Sequence, residues 1–318
     1  MSLERLDRIK PFLVMDVLER ANVMERAGED IIHFEIGEPD FETPVKIREA
    51  AIRALDRGET HYTHSLGIYP LREAVSRWYR KRYRVDVDPE QVIITMGTSP
   101  GLLLVLSVLV STGDEVILSN PGYACYESFI RYLQARAVSI SVFEETGFQL
   151  SISNVLQKIN AKTKALLINS PANPTGVVLS PEVMVELSNI GMPIISDEIY
   201  HGLVYEGRVH SILEFTTNAF VLNGFSKYFA MTGWRLGYII APEKYVRSIQ
   251  ILQQNFFISP ANFVQHAGLA ALNDDHPEIE DMVSAYKKRR TVMIDSLRSI
   301  GFSINSNPGG AYYCFCQC

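Results

Sequence analysis

The sequence predicts an α/β fold, a mostly parallel sheet covered by helices on both faces, joined to a second, smaller α+β part. Three observations lead there. Apolar runs of four or five residues recur along the first three-quarters of the chain. Segments of helical periodicity separate them. The runs lack the apolar–polar alternation of a half-exposed sheet, as strands buried on both faces do. At 318 residues the chain has the length of about two domains.

The elements follow in order. In 44–58 (PVKIREAAIRALDRG), Ile47, Ala50, Ala51, Ala54 and Leu55 share one helical face, with Thr43 as cap, Pro44 in the first turn and Gly58 as stop. Leu71, Ala74, Val75, Trp78 and Tyr79 repeat that spacing in a second helix. Strands are then expected at 91–95 (QVIIT), 115–119 (EVILS), 165–169 (ALLIN), 193–196 (PIIS), 219–222 (AFVL) and 236–240 (LGYII). Helices are expected from about Pro100, through Tyr126 and Phe129, and from Ser180. Beyond about residue 243 the pattern is mostly helical. The basic run Lys287–Arg290 reads as a solvated helix face. Residues 299–315 read as a hairpin turning at Asn307-Pro308-Gly309-Gly310.

Composition narrows the function classes. The chain is 47% hydrophobic and 21% charged, with a formal net charge of −6. No long basic run exists, which argues against a nucleic-acid partner. The most apolar run, 101–110 (GLLLVLSVLV), is too short to cross a bilayer. The first residues, MSLERLDRIK, lack a signal-peptide core, so the expected location is cytoplasmic and no membrane is involved. Cys314, Cys316 and Cys318 would share one face of a strand. No second ligand pair lies near in sequence, so reduced thiols and no metal are expected.

The chemistry gathers behind the strands, where open α/β sheets bind ligands. The first strand is followed by Gly97-Thr98-Ser99-Pro100-Gly101, small residues opening a helix and able to take an anion. The second is followed by Tyr123, placed to stack on a flat ligand. The third leads to a rigid turn displaying Asn173, the fourth to Asp197 and Tyr200, the fifth to Ser226 and Lys227, with Arg235 eight residues on. Each has a plain structural alternative: a capped helix, a core tyrosine, an asparagine turn, a surface lysine. His61, His64 and His201 read as solvated or capping. Together, however, these groups match a phosphate, a cationic ring nitrogen, a phenolic oxygen and an aldehyde. Pyridoxal 5'-phosphate carries all four, and lysine, unlike arginine, can shed its proton and attack a carbonyl.

The segments resemble the fold-type I pyridoxal-phosphate-dependent aminotransferases, class I/II, of the aspartate aminotransferase superfamily. The resemblance rests on Gly37-Glu38-Pro39-Asp40-Phe41; on His61-Tyr62-Thr63 with Gly67 and Leu71-Arg72-Glu73-Ala74; on Asn173-Pro174-Thr175-Gly176; on Asp197-Glu198-Ile199-Tyr200; and on Ser226-Lys227 with Met231 through Gly237. It covers the chain from about residue 30 onward. It implies an N-terminal arm and part of the small domain over 1–43, a large cofactor-binding domain over 44–242, and a connecting helix with an incomplete small domain over 243–318. It implies transfer of an amino group from an L-amino acid to a 2-oxo acid.

By the same resemblance Lys227 would carry the cofactor as a Schiff base and shuttle the proton. Asp197 would keep the ring nitrogen protonated. Tyr200 and Asn173 would bond the phenolic oxygen, and Asn173 with Gly37 would border the substrate. Tyr123 would stack on the ring. Arg235, Ser226 and the Thr98 and Ser99 backbone would hold the phosphate. Tyr62 would reach the neighbouring subunit's phosphate, implying a homodimer. Two departures stand out. Gly224 occupies a position that is often serine in the family. The usual C-terminal arginine that clamps the substrate α-carboxylate is not in the sequence, and CFCQC is not the usual continuation; a truncated or frameshifted product that binds cofactor with little turnover is one expectation. A carbon–sulfur β-lyase on the same fold is another, since it needs the same Lys227 and Asp197.

Overall fold

A computed structural model describes residue 9, residues 11–304 and residues 306–316. A helix α1 (Leu13–Arg26) precedes α2 (Val45–Asp56) and α3 (Tyr69–Tyr83). The sheet region follows: β1 (Val92–Thr95), α4 (Thr98–Leu109), β2 (Glu115–Asn120), α5 (Cys125–Tyr132), β3 (Arg136–Ser141), α6 (Ile152–Lys158), β4 (Thr163–Asn169), α7 (Pro181–Ser188), β5 (Ile194–Asp197), β6 (Ala219–Gly224) and β7 (Gly237–Ile240). Three helices complete it: α8 (Glu243–Phe256), α9 (Asn262–Asn273) and α10 (Pro277–Ser299). Among the described residues no helix is long and apolar enough to cross a membrane.

The seven strands lie in the order β1-β7-β6-β5-β4-β2-β3. All pairs are parallel except those of β7, which runs antiparallel to β1 and β6. Alternate residues serve opposite faces, as strand geometry requires. Ile94, Ile117, Leu166, Ile194 and Val221 join one core cluster with α2, α3 and α9. Ile93, Val116, Leu167, Ile195 and Phe220 join a second with α4 and α8. The six apolar runs are all strands, which is why none alternates with polar residues.

Several local expectations change. Strand β3 has no apolar run; its residues alternate between exposed and buried, because it is an edge strand with one covered face. Thr43 does not cap α2. Its hydroxyl donates to the Ala230 carbonyl at 2.6 Å and accepts from Trp234 Nε1 at 3.1 Å. Gly58 does end that helix, at φ +76°. The basic run of α10 is not simply solvated. Arg289 holds both carboxylate oxygens of Asp40, at 2.8 and 2.9 Å. Arg290 is only 11% exposed, bonded to the Pro308 carbonyl and Glu206.

Part of the segment expected as a hairpin, residues 309–311, is tied to other stretches of the chain. Its backbone pairs elsewhere: Gly310 N–H donates to Gly176, Ala311 N–H to Leu203, and the Gly309 carbonyl accepts from Tyr205. A glycine is needed at 310, where a Cβ would meet Pro171 and the Leu203 carbonyl within 2.7 Å. This cross-pairing carries Tyr312 and Tyr313 to the end of the sheet. Cys314 and Cys316 are free thiols outside any strand; Cys318 lies outside the described residues.

Candidate active site

Strands β2 and β4 are neighbours, yet the chain leaves β2 toward β3 and leaves β4 toward β5 and β6. That divergence opens a crevice at the strands' carboxyl ends. A cleft of about 450 Å³ lies there. It is lined by Gly37, Thr98, Ser99, Tyr123, Asn173, Asp197, Tyr200, Ser226, Lys227 and Arg235. Register explains part of the convergence: Asn169 at the end of β4 is level with Asp197 at the end of β5. Tyr62 is not in the lining; it is 80% exposed.

Asp197 is 7% exposed. Its carboxylate accepts from Tyr126 Oη at 2.7 Å and from the Ile199 amide at 3.1 Å. Burial raises its pKa to about 6, against the lowering effect of these two donors and of Lys227. Its main-chain carbonyl accepts from Asn169 Nδ2, whose own side-chain oxygen accepts from the Asn173 amide at 2.7 Å. Asn173 Nδ2 donates to Tyr313 Oη at 3.2 Å, and Tyr313 and Tyr200 share a hydrogen bond of 2.7 Å. Asp197, Asn173 and Tyr200 are thus held in one connected set.

Lys227 donates from Nζ to the Gly37 carbonyl at 2.6 Å, which also accepts from Tyr312 Oη. Burial, opposed by the charges of Glu38 and Asp197 and aided by Arg235, brings its pKa down to about 8. Arg235 has φ +53° and donates to the Thr232 carbonyl at 3.0 Å. Its guanidinium lies against Gly97, where a Cβ would meet Nη2 at 2.7 Å. Gly97 is the N-cap of α4, so a guanidinium and the free amides of a helix start face one space, a strong anion site. Gly224 has its own reason to lack a side chain. A Cβ there would sit 2.8 Å from Gly237 Cα and the Leu236 carbonyl, so glycine lets β6 and β7 approach.

The profile of the aminotransferase class I and II family matches residues 29–318. The chain belongs to that family. It is 43% identical to the (5-formylfuran-3-yl)methyl phosphate transaminase of Methanocaldococcus jannaschii, over 98% of this chain and 83% of the relative. It is 39% identical to an aspartate aminotransferase of Pyrococcus horikoshii, over 98% of this chain and 81% of the relative. The aspartate aminotransferase of Thermus thermophilus solved with maleate superposes with a TM-score of 0.93 at 34% identity, covering 98% of this chain and 83% of that one. The fold of this aminotransferase is therefore that of the aspartate aminotransferases.

The family uses pyridoxal phosphate, and the residues of this cleft fit it. A buried carboxylate that, among the described residues, accepts from a tyrosine and an amide rather than from a cationic side chain suits a protonated ring nitrogen. An arginine on a glycine-opened helix start suits a phosphate, and a desolvated lysine suits an aldehyde. The sequence reading missed several groups in or beside the cleft, among them Tyr126, Asn169, Tyr312 and Tyr313. Tyr126 lies one helical turn beyond Tyr123 in GYACY, a spacing that was legible. Asn169 is the last residue of an expected strand. Tyr312 and Tyr313 could not be assigned from local pattern, because cross-pairing to Gly176 and Leu203 brings them in.

Proposed function

We propose that this aminotransferase holds pyridoxal phosphate in the cleft and moves an amino group from an L-amino acid to a 2-oxo acid. The observation that carries the reading is the placing of Lys227 and Asp197 in one cleft, close enough for each to shift the other's proton affinity. When bound, the cofactor supplies a conjugated electron sink for charge developing at the substrate's α-carbon.

The residues divide the remaining work. Lys227 Nζ is the amine that would hold the cofactor and the base that would carry the proton to and from the substrate's α-carbon. Its depressed pKa keeps a usable share in the neutral form. Asp197 would keep the ring nitrogen protonated, and the hydrogen bonds from Tyr126 and the Ile199 amide favour its ionised form. Asn173 and Tyr200 would donate to the phenolic oxygen, with Tyr313 bracing both. Arg235, Ser226 and the amides at Thr98 and Ser99 would hold the phosphate, and Tyr123 would pack against the ring. Gly37 borders the substrate beside the lysine. A side chain there is impossible without displacing Tyr313, whose hydroxyl a Cβ would approach to 2.0 Å. Tyr62, exposed on the surface, is available to the phosphate of a second copy in a homodimer.

The test is reduction of cofactor-loaded protein with borohydride, followed by peptide mapping. The pyridoxyl group is expected on Lys227. Finding it on another lysine, or on none, removes the basis of the reading.

A further inference from the structure

Resting on that reading, we propose that Glu198 and His201, which face away from the cleft, are positioning residues: they hold the turn that presents Asp197 to the ring nitrogen and Tyr200 to the phenolic oxygen. All four side chains sit on the stretch 197–201, where the chain leaves β5. The His201 amide donates to the Glu198 carbonyl at 2.9 Å, a bond between residues three apart that brings such residues to one side. Asp197 and Tyr200 line the cleft. Glu198 and His201, each one residue later, turn into the core, where they are 1% and 5% exposed.

The back of the turn is fastened from three directions. Glu198 Oε1 accepts from Ser196 Oγ at 3.2 Å, from Ser211 Oγ at 2.9 Å and from the Ile212 amide at 3.0 Å. Its Oε2 accepts from Tyr79 Oη at 3.1 Å. His201 Nδ1 is bonded to Tyr83 Oη at 2.8 Å. Tyr79 and Tyr83 lie one turn apart on α3, their ring centroids 5.0 Å from each other. Stability alone does not call for this arrangement, because replacing buried ions by apolar residues of similar volume is often neutral or stabilising. Four directed bonds to one carboxylate add something an apolar side chain cannot, a fixed rotation of the turn. That rotation matters to a site in which Asp197 and Tyr200 must meet two atoms of one rigid ring at once, since a misplacement of about 1 Å can cost roughly a hundredfold in rate.

The test uses the full chain carrying Tyr79→Phe and Tyr83→Phe, which keeps both rings and removes the hydroxyls that α3 gives the turn. Calorimetry compares two probes. Deoxypyridoxine phosphate has the ring nitrogen, the phenolic oxygen and the phosphate, with a methyl group in place of the aldehyde; inorganic phosphate has the anion alone. The double variant is expected to bind deoxypyridoxine phosphate about tenfold more weakly than the parent, the scale of one hydrogen bond lost. Inorganic phosphate, which meets Arg235 and the start of α4, should bind as in the parent. Weakening confined to the ring compound upholds the proposal. Equal weakening of both probes, which a generally loosened fold would give, overturns it, and so does no weakening. Glu198→Gln keeps an accepting oxygen for Ser211 and the Ile212 amide and can donate to Tyr79, so it should bind the ring compound as the parent does; a loss equal to that of the double variant overturns the proposal. If the parent binds the ring compound no better than inorganic phosphate, the pyridoxal phosphate reading itself fails, and amide exchange in the ligand-free chains decides. Exchange across 197–203 about tenfold faster in the double variant, with β1 and β4 unchanged, upholds the hold on the turn; parental exchange there overturns it.

Discussion

The ionisation of Lys227 can be perturbed and read directly. Its amine is part-buried, near Arg235, and opposed by the carboxylates of Glu38 and Asp197. The sum lowers its pKa from 10.5 to about 8. At pH 7 a lysine of pKa 10.5 is neutral in about one molecule in three thousand; at about 8 the share is about one in ten. Lys227 should therefore be roughly 300-fold richer in nucleophilic amine than a surface lysine. Trace acetylation of the cofactor-free protein across pH, quantified peptide by peptide, reads this share. Labelling of Lys227 should rise with a midpoint near 8, well below the range of about 10.4 that is ordinary for a solvated lysine. Glu38→Gln removes a negative charge that raises the pKa, so the midpoint should move down. A Lys227 midpoint with the exposed lysines, or an upward move in Glu38→Gln, would refute the account of burial and neighbouring charge.

Two further outcomes follow from buried acids at the end of β5. Asp197→Ala should cut transamination by orders of magnitude while the near-ultraviolet circular dichroism stays that of a folded protein, because a ring nitrogen without an ionised partner is a weaker electron sink; activity within a few-fold of the parent would exclude the role given to Asp197. Glu198 is 1% exposed and accepts from Tyr79, Ser196, Ser211 and the Ile212 amide. Glu198→Ala leaves those buried donors without an acceptor and should cost at least about 3 kcal/mol in urea unfolding, at 1–3 kcal/mol per unsatisfied group. A loss under about 1 kcal/mol would mean that water replaces the carboxylate at no cost.

Histidine 201 shows where reading the residue type goes astray. It follows the DEIY segment and reads as a solvated or capping histidine. In the structure it is 5% exposed, with Nδ1 hydrogen-bonded to Tyr83 at 2.8 Å and 3.4 Å from Glu198. Burial pushes its pKa down to about 3, so it is neutral across the physiological range. Nothing local to Tyr200-His201-Gly202 announces this. The partners come from α3 and from the acid three residues earlier, brought together only when α3 packs on the sheet.

What the sequence determined by itself was the sheet and most of what hangs from its edge. Buried strands need continuous apolar runs, and the residues directly after them are fixed to the strand's carboxyl end within a few ångströms. Asp197, Asn173, Tyr123, Thr98, Ser99, Ser226 and Lys227 were legible for that reason. Tertiary structure alone decided three things. It decided the order of the strands, and with it that β7 runs antiparallel between β1 and β6. It decided that Phe12 and Tyr313, far from the sheet in sequence, enter the cleft. And it set the proton affinities of Lys227 and Asp197, because desolvation and the charges of groups distant in sequence exist only once the chain has closed around them.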